Sequence, residues 1–159
     1  MKFHVGFGYD VHRLDDGLPL TIGGVKIDYP KGWVAHSDGD VLIHAICDAI
    51  LGAANMRDIG FHFPDSDPQF KGVSSLILLQ QTVDIVASKG YRVVNVDSTI
   101  AMQRPKLKDF IPQMSIALAD AMHVSPDDVS VKATTTEGLS FEGDGSGASA
   151  YAVAMIEKD

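Results

Sequence analysis

Apolar residues alternate with small or polar ones from Phe3 to Tyr9, the period of two that a half-buried strand imposes. Leu20–Ile22 and Val25–Ile27 flank Gly23-Gly24 and predict two short strands joined by a tight turn, a β-hairpin. From Asp40 the period changes. Leu42, Ala45, Ile46, Ala49, Ile50 and Ala53 recur at helical spacing and make one apolar face, while Asp40, His44 and Asp48 form a polar stripe one turn apart. Ser74–Lys89 predicts a second helix, with Ser74 and Ser75 as candidate caps and Gly90 as its stop. Tyr91–Met102 is β-branched and alternating, hence a strand, and Pro112–His123 is a third helix closed by Val124 and the Ser125-Pro126 break. Val129–Thr135 and Ala148–Ile156 read as two more strands.

The last strand is apolar on both faces, with Ala150, Ala152, Ala154 and Ile156 on one and Tyr151, Val153 and Met155 on the other. Both faces are therefore expected to be covered, one by helices and the alanine face by a second sheet that the small side chains let approach, within the chain or from another subunit. The expected fold is α/β, an α+β sandwich with one sheet and helices on one of its faces, in an oligomer. No repeat, low-complexity tract or linker splits the chain, so residues 1–159 are expected to form a single domain.

Composition narrows the function. With 45% hydrophobic and 21% charged residues, the chain is that of an ordinary globular protein, and one Cys rules out an internal disulfide. No apolar run approaches the ~18 residues of a membrane span, and Met1–Gly8 lacks the pattern of a signal peptide. A bacterial, cytoplasmic protein is the expectation. A net charge of −8 disfavours nucleic acid and acidic membranes, which need a basic surface. Six histidines in so acidic a chain direct attention to metal chemistry.

Asp10-Val11-His12 follows the first strand, and Asp10 and His12, two apart, project to one side. His44 on the helix stripe is a third donor, with Asp48 one turn on as a possible acceptor for its other ring N–H. Two His and one carboxylate make the three-ligand set of a catalytic zinc. The plainer alternative is that Asp10 caps a loop and His44 is a satisfied polar-face residue. His36-Ser37-Asp38-Gly39-Asp40 leads into the helix, where first-turn amides favour an anion, although Ser37 or Asp38 can equally serve as a cap.

Asp58-Ile59-Gly60 and Phe63-Pro64-Asp65-Ser66-Asp67-Pro68 make a long polar loop, of the kind often used for binding, or a plain Pro/Asp turn cluster. Arg104-Pro105-Lys106-Leu107-Lys108 sets three cations in an acidic chain, for phosphate contact or as a solvated charge run. Lys132-Ala133-Thr134-Thr135-Thr136-Glu137 ends a strand with three hydroxyls and a carboxylate, which suit phosphate oxygens and a hard divalent ion, although adjacent threonines also reflect β-propensity. Cys47 beside Ile46 reads as a small buried apolar group.

Together, Asp10-Val11-His12, Ala35-His36-Ser37-Asp38-Gly39-Asp40, Asp58-Ile59-Gly60, Phe63-Pro64-Asp65 and Lys132-Ala133-Thr134-Thr135-Thr136-Glu137 closely resemble the 2-C-methyl-D-erythritol 2,4-cyclodiphosphate synthase family, from Gly6 nearly to the last residue. The resemblance implies a homotrimer with sheets around the three-fold axis and active sites at subunit interfaces. It implies conversion of 4-diphosphocytidyl-2-C-methyl-D-erythritol 2-phosphate into the cyclic diphosphate and CMP, a step of non-mevalonate isoprenoid synthesis. By position, Asp10, His12 and His44 would bind one zinc per subunit and stand beside the substrate. His36 and Ser37 would lie at the erythritol phosphate, and His36 and Thr135 would be the catalytic pair.

The resemblance further implies that Asp58, Ile59 and Gly60 contact the erythritol part and that Phe63, Asp65, Ser66 and Asp67 close over it. Met102, Gln103, Arg104, Pro105, Lys106, Leu107 and Lys108 of a neighbouring subunit would form the cytidine pocket. Thr134 and Thr135 would hold phosphates there, Glu137 would bind Mg or Mn with the diphosphate, and Ala133, Thr136 and Phe141 would complete the substrate contacts. One departure stands out: Asp144 occupies the place after Phe141 where several bacterial relatives carry an Arg facing the axial cavity. Three carboxylates there would repel an isoprenoid diphosphate.

Two other classes fit the same donors. A zinc phosphohydrolase would release inorganic phosphate, and a non-catalytic trimer with structural zinc would unfold on metal removal. The His-x-Glu and Pro-Cys-x-x-Cys signatures of a zinc deaminase are absent.

Overall fold

The first strand is longer than its apolar alternation suggests, because polar residues continue its pairing. In the computed structural model, which describes residues 1–159, β1 runs Lys2–Asp16 and pairs antiparallel with the C-terminal strand β7 (Gly147–Lys158) from Lys2↔Lys158 to Arg13↔Gly147. Its last residues pair with β4 (Lys31–Val34), a strand the sequence pattern did not mark. Asp10-Val11-His12 thus lies inside β1 and not after it, which holds both side chains on one pleat face more firmly than a loop would.

Between β1 and β4, Leu20–Ile22 (β2) and Val25–Ile27 (β3) form the expected hairpin, with Gly23 and Gly24 both at positive φ. Then come α1 (Val41–Ala53), a short α2 (Ile59–His62), α3 (Ser75–Ala87), β5 (Tyr91–Ala101), α4 (Ile111–Met122), β6 (Val129–Thr134), a short α5 (Ser140–Asp144) and β7. The α2 and α5 turns carry no periodic signal, and four or five residues are too few for one to appear. His123 ends α4 in the left-handed conformation, one residue before the expected boundary. The strand order is β4-β1-β7-β5-β6, a mixed sheet in which only β5 and β6 are parallel, joined by the α4 crossover.

The helices cover one face of this sheet, as expected, but the alanine face of β7 is the helix face. Ala148, Ala150, Ala152 and Ala154 are all buried beneath α1, together with the rest of a continuous apolar core. Gly6 and Gly8 of β1 extend the same seam: a Cβ on either would run into the main-chain carbonyls of Ala49 or Ala45. Small residues therefore let a helix backbone approach, not a second sheet. The opposite face is bare. Phe3, Val5, Phe7, Tyr9 and Val11 of β1 and Tyr151 and Val153 of β7 are exposed, with Val5 at 63% and Phe7 at 62%.

Candidate metal and phosphate site

β1 and α1 meet at Asp10, His12 and His44. His44 Nδ1 lies 3.1 Å from Asp10 Oδ2, His12 Nε2 lies 3.2 Å from the same oxygen, and the two ring nitrogens are 3.2 Å apart. Three donor atoms bound at about 2.0–2.1 Å to a tetrahedral ion sit about 3.3–3.4 Å from one another, so this triangle has the size of one face of such a shell. It is the one place where three or more metal-capable side chains converge, and two imidazoles with one carboxylate are a donor set that fits a divalent ion.

Electrostatics separates the two histidines. Burial pushes the His12 pKa down, and the attraction of Asp10 does not restore it. For His44, burial also works against the charged form, but the hydrogen bond to Asp10 and the charges of Asp10, Asp40 and Asp38 outweigh it and raise the pKa. Cys47, one turn away, is fully buried, and burial pushes its thiol up to about 12, so it is a packing residue as expected.

The second nitrogen of His44 does not use Asp48. Nε2 lies 2.9 Å from Ser75 Oγ, and Ser75 Oγ donates to Asp38 Oδ1. Asp48 instead accepts from the Ile59 amide at 2.8 Å and fixes the start of α2. The Ile59 amide engages Asp48, whereas α3 delivers Ser75 to the imidazole. Asp38 and Ser75, which the sequence offers as helix caps, are thus site residues, and no local pattern links Ser75 to a histidine 31 residues earlier.

The cap of α1 is Asp40, not Ser37 or Asp38. Its fully buried carboxylate accepts from Ile43 N at 3.1 Å and from the hairpin amides Gly23 N at 2.9 Å and Gly24 N at 2.8 Å. That occupies a first-turn amide of α1 which an anion would otherwise use.

The donor triangle opens on a cleft of about 490 Å³ lined also by His36, Ser37, Ile59, Gly60, Phe63 and Asp65. His36 Nε2 donates to the carbonyl of Asp67 at 3.1 Å, which ties the loop after α2 back over the cleft. Asp58 caps α2 through Phe61 N, Asp67 caps the 3-10 turn Pro68–Phe70, and Ser66 is exposed and off the wall.

A second cleft of about 350 Å³ gathers Met102, Gln103, Pro105, Lys106, Leu107, Lys108, Ala133, Thr134 and Thr135; Arg104 is not among its lining residues. The two clefts share no lining residue. Sheet register aligns Asp10 with Ala150, Ile100 and Ala133, three strand spacings or about 14 Å apart. At the end of β6, Thr134 Oγ1 donates to Thr135 O and Thr136 Oγ1 to Leu139 O, whereas Thr135 Oγ1 accepts from Glu137 N and keeps its own proton unspent. Glu137 follows at a left-handed φ of 57°, outside any cluster of donors. Phe141 lies beside Val11, His12 and Arg13 in a shallower hollow.

A cleft with a metal-sized donor triangle at its base and a separate cation- and hydroxyl-lined pocket can bind a phosphorylated small molecule at two points. Comparison with known proteins gives this chemistry a context. The YgbB family model matches residues 3–157. A 2-C-methyl-D-erythritol 2,4-cyclodiphosphate synthase from Phocaeicola vulgatus is 60% identical over 158 residues, 99% of each chain. A solved bifunctional enzyme, IspDF from Campylobacter jejuni, superposes with a TM-score of 0.95 at 40% identity over 99% of this chain and 43% of its own. A solved 2C-methyl-D-erythritol-2,4-cyclodiphosphate synthase in a CDP-bound form superposes at 0.88, with 35% identity over 96% of this chain and 99% of its own.

Proposed function

The chain belongs to the YgbB family of 2-C-methyl-D-erythritol 2,4-cyclodiphosphate synthases, and we propose that Asp10, His12 and His44 hold its zinc ion, one per subunit, at a site completed by a neighbouring copy. The enzyme converts 4-diphosphocytidyl-2-C-methyl-D-erythritol 2-phosphate into the 2,4-cyclodiphosphate and CMP, in non-mevalonate isoprenoid synthesis. The observation that carries the site assignment is the 3.1–3.2 Å donor triangle at the base of the His36–Ser37 cleft.

In this reaction an oxygen of the 2-phosphate forms a bond to the β-phosphorus of the same molecule while the bond to the α-phosphate oxygen breaks and CMP leaves. No protein nucleophile is needed, so the residues position and neutralise. When bound, the ion supplies Lewis acidity to phosphate oxygens and offsets their charge. His36 and Ser37 orient the erythritol phosphate, with Asp58, Ile59 and Gly60 along the erythritol part and Phe63, Asp65, Ser66 and Asp67 closing above it. Bringing the two ends of one molecule together is an entropic task, and well-oriented intramolecular reactions gain roughly 7–11 kcal/mol from it.

The cytidine end belongs in the second cleft, Met102–Lys108 with Ala133–Thr136, lent by a neighbour. Support comes from the absence of a shared wall between the clefts of one chain and from the exposed apolar sheet face, which three subunits arranged about an axis would cover. Thr135, whose hydroxyl proton is free to meet a phosphate oxygen, is the second catalytic residue beside His36. Glu137, aided by the diphosphate oxygens, takes Mg or Mn. Residues 1–159 act as one domain, in the bacterial cytoplasm; no helix is long and apolar enough to cross a membrane.

A phosphorus NMR time course with substrate, Zn and Mg tests the assignment. Coupled diphosphate doublets of a cyclic product are expected with the native chain and lost with His44→Ala. Inorganic phosphate in place of the doublets would overturn the cyclase in favour of a hydrolase.

A further inference from the structure

The buried polar chain behind His44 has a direction, and its protons can be counted. Asp38 Oδ2 accepts from Ser75 N at 2.9 Å, and Asp38 Oδ1 accepts from Asp40 N at 3.1 Å and from the Ser75 hydroxyl. An ionised carboxylate only accepts, so the single proton of the Ser75 hydroxyl is committed to it. The lone pair that Ser75 turns to His44 Nε2, 2.9 Å away, can then only accept, and the proton of that bond must come from the imidazole. Ser75 is completely buried and His44 is 6% exposed, so no bulk water substitutes for either partner. The other hydroxyl near Nε2, Ser37 Oγ, lies at 3.4 Å, the limit of a hydrogen bond, and is outcompeted by the 2.9 Å contact to Ser75.

We infer that Ser75, polarised by Asp38, is a positioning residue for the metal centre: it keeps His44 protonated at Nε2 and so presents the Nδ1 lone pair to the ion. The inference rests on the reading of Asp10, His12 and His44 as metal ligands and adds the two residues that orient one of them. It also accounts for a serine in the first turn of α3 that makes no use of its own helix for its side-chain proton. A neutral imidazole left without this acceptor is free to carry its proton on Nδ1, facing Asp10 and His12, where it blocks the site. Outer partners of ligating histidines are typically worth a factor of 10–100 in metal affinity.

The test pairs zinc competition against a chelator with nitrogen NMR of the imidazoles in the full chain. In the zinc-loaded native protein, His44 is expected to carry its proton on Nε2. Ser75→Ala, folded by circular dichroism, is expected to bind zinc 10–100-fold more weakly. Asp38→Asn removes the charge that fixes the Ser75 proton, so its zinc affinity is expected to fall several-fold as well. A native chain that binds zinc with an unprotonated His44 Nε2 would overturn the inference, as would a folded Ser75→Ala with native zinc affinity. A native chain that fails to bind zinc would overturn the ligand reading itself, a different result. Should Ser75→Ala not fold, Asp38→Asn decides: native zinc affinity in that variant would overturn the inference.

Discussion

His44 Nδ1 and Asp10 Oδ2 are 3.1 Å apart although 34 residues separate them in sequence. A hydrogen bond across that gap requires a proton, which the same atoms must give up to a metal. The His44 pKa is raised because Asp10 and the charges behind it outweigh burial, whereas burial lowers that of His12. Proton and metal therefore compete mainly at His44, and zinc affinity is expected to fall about tenfold per pH unit below its raised pKa. His12, which loses its proton at lower pH, adds a second slope only under more acidic conditions. Zinc titration between pH 5 and 8, with proton release measured in two buffers, checks this. A flat profile through that window would place the ion elsewhere.

Asp40 makes a separate prediction about stability. Burial pushes its pKa up to about 6 from 3.8, against three backbone N–H bonds that favour the charged form. A folded-state value above the unfolded one means that the native state holds the proton more tightly, so this group's stabilisation is full below about pH 3.8 and is lost as pH rises through 6. Two units correspond to about 3 kcal/mol. Relative to Asp40→Asn, the native chain should gain stability on going from pH 7 to pH 4.5, as read by urea unfolding. Asp40→Ala, which strands the amides of Gly23, Gly24 and Ile43, should cost about 3 kcal/mol or more at either pH.

What the sequence disclosed follows from how local each cause is. The apolar face from Leu42 to Ala53 and the shared side of Asp10 and His12 are set by backbone periods alone, and both appear as read. The partner of His44 depends on where α3 packs, so the nearer Asp48 was the natural reading and Ser75 the actual one. The alanines of β7 illustrate a cause understood with its object mistaken. Small side chains do mark close approach, but Gly6 and Gly8 on the paired strand, at the same level as Ala154 and Ala152, show that the visitor is a helix backbone. That correction moves the uncovered face to the aromatic side.

On that aromatic side, Phe7 is 62% exposed in the single chain, with the Tyr151 ring centroid 6.5 Å away. Covering such a ring stabilises by about 1.5–3 kcal/mol, and a trimer repeats the gain three times. Phe7→Glu places a charge in the same contact while leaving the helix face of the sheet untouched. Sedimentation is expected to show the native chain at three times 17.0 kDa and the variant at 17.0 kDa, with helical content retained. Cyclase activity should fall with the trimer, because the cytidine cleft would no longer face the donor triangle. A monomeric variant with native turnover would refute the interface site.

Asp144 is expected to set what the axial cavity of the proposed trimer holds. Its carboxylate accepts from the Ser146 hydroxyl and, at 2.8 Å, from Ser146 N, and these bonds hold its pKa below the usual range, so it stays charged at neutral pH. The side chain is exposed at the end of α5, at the place where several bacterial relatives are expected to carry Arg. Three copies about an axis repel anions, and salt screens that repulsion only in part over distances within ~10 Å. The purified native protein is therefore expected to carry no isoprenoid diphosphate by mass spectrometry. Asp144→Arg replaces three negative charges by three guanidinium forks suited to phosphate. The variant is expected to retain farnesyl diphosphate added at micromolar concentration while its cyclase activity changes little, since no part of either cleft contains residue 144. Farnesyl diphosphate recovered from the native chain would show that the apolar walls of the cavity, not its charged rim, decide occupancy.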